Sequence, residues 1–125
     1  MYDWKAKITR VLELPGLTDE QKGTFDMHIE FIELSEIFPH SGLKDVRNDE
    51  QLIRLDLERL IETRGMSWSV RFKSQATLNE FQGPKESFGA SLGPVGLSLW
   101  IDAYGATPAQ ALCDALLSAV KEAQQ

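Results

Sequence analysis

The chain has 125 residues, a length that fits one domain and excludes a multidomain enzyme. An apolar fraction of 42% with 26% charged residues is that of an ordinary globule, and a single cysteine rules out an internal disulfide framework, so a reducing compartment is expected. Nineteen acidic against thirteen basic side chains give a net charge of −6, which argues against direct binding to phosphate backbones. The absence of an apolar run of about 18 residues, together with the polar start Met1-Tyr2-Asp3-Trp4-Lys5, argues against a membrane span and a secretory leader.

Along the chain, Trp4, Ala6 and Ile8 alternate with Lys5, Lys7 and Thr9, and Leu12 and Leu14 resume the set, which predicts a strand over 3–14 with a slip near Arg10-Val11. Pro15-Gly16 stops it. Phe25, Met27, Ile29 and Phe31 alternate with Asp26, His28 and Glu30, which predicts a second, half-buried strand and an antiparallel hairpin joined by a polar loop. Pro39-His40-Ser41-Gly42 reads as a turn. Asn48 as a cap, acidic Asp49 and Glu50, and the helical recurrence of Leu52, Ile53, Leu57, Leu60 and Ile61 before Arg64-Gly65 predict a helix over 49–64.

Trp68, Val70 and Phe72 predict a strand directly after Gly65. From Asn79 to Gly96, four glycines and two prolines predict a long irregular connection, with room for a short strand at Phe88 to Leu92. Leu97, Leu99, Ile101 and Ala103 predict a further strand. Thr107 as N-cap, Pro108 at the first helical position and Gln110 three residues on predict the closing helix. The expected fold is one α+β domain over 1–125, a mainly antiparallel sheet with two helices in the order ββ-α-β(β)β-α.

Two passages in the second half carry a family likeness. One is Gly65 followed by Trp68-Ser69-Val70-Arg71-Phe72, a helix leading at once into a W-x-V-x-F strand; the other is the segment Ala103 to Leu117. In these the chain resembles the bacteriophage ABA (α-β-α) sandwich domain. The resemblance implies a phage-type protein acting in the host-cell cytoplasm, and it attaches no catalytic residue and no cofactor.

Chemistry-bearing clusters are few. On a strand, Asp26, His28 and Glu30 share a face and offer a divalent cation two carboxylates and an imidazole, but same-face neighbours stand about 7 Å apart, so a solvated strand face is favoured and no metal is expected. Cys113 falls among Leu112, Leu116 and Val120 and reads as a packed hydrophobe, and His40 as an exposed loop residue. No nucleophile elbow, Walker loop, dinucleotide fingerprint or C-x-x-C is present, so catalysis is not expected. Arg71 and Lys73 are too few cations for an RNA platform.

Charge is the most informative feature. Residues 1–62 hold 14 acidic against 8 basic residues and residues 63–125 hold 5 against 5, so the excess lies in the first half. Between Glu13 and Glu36 the only cation is Lys22. An acidic ribbon with Asp19, Glu20, Asp26, Glu30, Glu33 and Glu36 as contacts is therefore expected to meet a basic, nucleic-acid-facing surface of a host protein or complex, and so to antagonise it. A different expectation places a small anionic ligand or signal nucleotide under loop 83–96, held by Lys85, Phe88, Gly89 and Gly93 at an oligomer interface. A virion assembly accessory is the third.

Overall fold

The computed structural model describes residues 2–37, 48–72, 88–94 and 100–123. In chain order these form α1 (Trp4–Leu12), α2 (Asp19–Ile37), α3 (Asn48–Thr63), β1 (Ser67–Phe72), β2 (Phe88–Gly93), β3 (Ile101–Gly105) and α4 (Pro108–Ala123). The class is α+β, with a three-stranded antiparallel sheet. The chain divides into two compact units, Met1–Asp56 and Leu57–Gln125, with α3 contributing to both.

The first unit departs from the expected hairpin: its two ribbon strands are helices. Asp3 caps α1, its carboxylate accepting from the Ala6 N–H at 3.1 Å. Ile8 and Val11 are buried one turn apart, the helical repeat that the alternation of Trp4, Ala6 and Ile8 had masked. Thr18 and Gln21 form a reciprocal capping box at the start of α2: the Gln21 N–H donates to Thr18 Oγ1 at 3.1 Å, and the Thr18 N–H donates to Gln21 Oε1 at 2.9 Å. Asp19 and Glu20 follow in the first turn, where the helix dipole favours negative charge. Helices α1 and α2 pack on each other, and Phe25 is the fully buried side chain of α2.

The second unit follows the expected order. Helix α3 ends in a Schellman motif: Gly65 adopts φ +78°, its N–H donates to Glu62 O at 3.0 Å, and the Met66 N–H donates to Ile61 O at 3.2 Å. A side chain at that positive φ would crowd its own carbonyl, which is why the helix stops at glycine. β1 pairs with β2 through Val70↔Ala90, and β2 pairs with β3 through Ala90↔Ala103, so β2 is central. Phe88 to Leu92, where the sequence leaves room for a short strand, lies in β2, and the rest of the expected irregular connection, save Gly93 and Pro94, lies outside the described residues.

Helix α4 covers one face of this sheet. Thr107 caps it, accepting from the Gln110 N–H at 3.3 Å, with Pro108 in the first turn. Its Ala109, Leu112, Cys113, Leu116 and Ala119 are buried. The approach of α4 to β3 leaves no room at Gly105, where an added Cβ would stand 2.8 Å from the Ala111 nitrogen. Among the described residues, no helix is long and apolar enough to cross a membrane.

Candidate protein-binding face

Because residues 19–37 are helical, side chains that would share a strand face are divided. Positions two apart on a helix point about 200° from each other, so His28 turns inward while Asp26 and Glu30 turn out. The strand face that Asp26, His28 and Glu30 would share therefore does not form, and among the described residues no group of three or more His, Cys, Asp or Glu could hold a metal ion. His28 instead bonds Asp56 of α3, with Nε2 2.6 Å from Oδ2. A carboxylate only accepts, so Nε2 carries the proton and donates it. The Phe25 ring lies beside the imidazole, with centroids 5.9 Å apart.

The same helical winding gathers the carboxylates. Asp19, Asp26, Glu30 and Glu33 fall at i, i+7, i+11 and i+14, which is one row along α2, whereas Glu36, seven residues past Ile29, lies off that row. All five are exposed. Glu20, also exposed, stands on the adjacent row. Lys5 of α1 reaches Glu33 at 3.3 Å, but both side chains are half in solvent, so the pair offsets little of the field.

Apolar side chains occupy the next row. Met27, Phe31 and Leu34 follow a four-then-three spacing and are 56%, 44% and 42% exposed, well above the level of packed residues. The alternation in the sequence groups Met27 and Phe31 with Phe25 and Ile29 on one strand face, and the helix separates them. The signal that separates them is the Thr18-x-x-Gln21 box, which announces a helix and with it a stripe through Gln21, Phe25, His28 and Ile32.

In the second unit the sheet face opposite α4 carries Ser69, Arg71, Gly89, Ser91, Asp102 and Tyr104. Arg71 Nη1 donates to Ser91 Oγ at 2.8 Å, and the Ser91 hydroxyl in turn donates to Asp102. The guanidinium is thereby linked across three strands to a carboxylate. Gly89 lies under Tyr104 and Arg71, where an added Cβ would meet Tyr104 Cε1 at 3.1 Å. Of the residues expected to hold an anionic ligand, Phe88, Gly89 and Gly93 are members of β2 and register with Phe72, Arg71 and Ser67 respectively, so they belong to the ladder and not to a loop. Lys85, Lys73 and His40 lie outside the described residues. Cys113 is fully buried in α4, as its apolar neighbours suggest.

The described residues thus define a small α+β protein whose first unit exposes one helix with adjacent acidic and apolar rows. Comparison with protein-family models, with curated proteins and with solved structures finds no match.

Proposed function

We propose that this protein acts by binding, through the acidic row of α2, to a host protein or complex that presents a basic surface of the kind that handles nucleic acid, and that it blocks that surface. The observation that carries the reading is the alignment of Asp26, Glu30 and Glu33 on one exposed helix face, in a helix whose single cation is Lys22. Aligned carboxylates sum their fields toward one side of the helix, which speeds encounter with a basic partner and competes with phosphate for it. The resemblance of Gly65 to Phe72 and of Ala103 to Leu117 to the phage ABA sandwich domain supports reading the protein as a phage-type product that acts without catalysis and without a cofactor.

The test is charge reversal. Immobilised native chain should retain host proteins that leave the matrix as salt rises, and the combined variant Glu30→Lys, Glu33→Lys, Glu36→Lys should retain none of them while keeping its helical circular dichroism. Equal retention by both chains would remove the reading.

A further inference from the structure

The acidic row does not stand alone on α2, and its neighbour narrows the kind of partner. Met27, Phe31 and Leu34 are large apolar side chains with about half of their surface in water, aligned on one side of a helix whose Phe25 and His28 are already packed. Their four-then-three spacing is that of a seam between two helices, where such residues alternate as knobs. Glu30 then occupies the position immediately before a seam residue, from which charged side chains cross to the opposing helix.

We infer that the α2 seam of Met27, Phe31 and Leu34 is the docking site for an amphipathic helix of the partner, one with an apolar stripe and a flanking row of lysine or arginine that meets Glu30. This rests on the acidic reading and specifies it: the basic surface is a helix, and apolar contact supplies affinity that charge alone does not. A second copy of the chain is the poorer occupant, because α2 offers Lys22 as its only cation and would set one acidic row near another.

The inference is tested by fluorescence anisotropy with two synthetic peptides of about 18 residues, long enough for five helical turns. One carries leucines at seam spacing beside a lysine row; the other keeps the lysines and replaces the leucines with glutamine. The leucine-lysine peptide should bind the native chain about tenfold more tightly than its control or better. The combined variant Met27→Gln, Phe31→Gln, Leu34→Gln should erase that difference while leaving the weak, salt-sensitive binding of the control. The peptide pair alone decides the matter should that variant fail to fold.

Equal binding of the two peptides, salt-sensitive in both, would overturn the helix inference and leave the acidic reading standing. Undiminished, salt-insensitive binding of the leucine-lysine peptide to an Asp26→Asn, Glu30→Gln, Glu33→Gln chain would overturn the acidic reading and with it this one. A dimer of the native chain in sedimentation, lost in the seam variant, would make the occupant a second copy and also overturn it.

Discussion

His28 of α2 donates Nε2–H to the Asp56 carboxylate of α3 over 2.6 Å, with only 12% and 20% of the two side chains exposed. A charged acceptor in a half-dry site makes this a strong bond and makes its loss costly, because the surviving partner is left unsatisfied. His28→Leu should therefore destabilise the protein by about 1–3 kcal/mol in urea denaturation. His28→Leu combined with Asp56→Leu should cost less than the sum of the two single changes. Strict additivity would show that the bond contributes nothing.

The reciprocal bonds between Thr18 and Gln21 set where α2 begins. Thr18→Ala should cost about 0.5–2 kcal/mol, and Thr18→Ser only a small part of that, since serine retains the acceptor. Amide hydrogen exchange should quicken first in the opening turn of α2. Unchanged exchange there would mean that the cap does not hold the turn.

How far the fold is legible depends on whether the caps or the apolar alternation are read first. Thr107-Pro108 and Arg64-Gly65 mark the ends of α4 and α3 in the sequence, and both helices stand within a residue or so of where those signals put them. Residues 25–31 mislead for a physical reason. Helix α2 carries apolar side chains on two rows, one packed through Phe25 and one exposed through Met27, Phe31 and Leu34, and two helical rows in projection imitate strand alternation. The acidity is legible and its full alignment is not: on a strand Asp26 and Glu30 share a face with His28 and turn away from Glu33, whereas the helix turns His28 inward and brings Glu33 into line with them.

Gly105 is held by the approach of α4, and an alanine there would press its methyl against the Ala111 backbone. Gly105→Ala should lower stability by about 1–3 kcal/mol, the usual cost of overpacking where the neighbour is backbone and cannot turn aside. Gly23→Ala is the control, because nothing lies within 4 Å of the added atom. A thermal melt in which both variants fall equally would contradict the close approach.

Cys113 is the only thiol in the chain and is fully buried in α4. A thiol reagent should label it only as fast as the second unit opens, and denaturant should accelerate labelling along with the loss of circular dichroism. Rapid labelling under native conditions would place Cys113 at the surface and the packing of α4 in error.

A partner that docks on α2 perturbs the amides of that helix first. The most direct measurement is the map of amide chemical-shift changes in the isotope-labelled chain on adding the host protein it captures. Changes concentrated at Asp26, Met27, Glu30, Phe31, Glu33 and Leu34 are the predicted result. Changes confined to the sheet around Arg71, Ser91 and Asp102, with α2 silent, would contradict it.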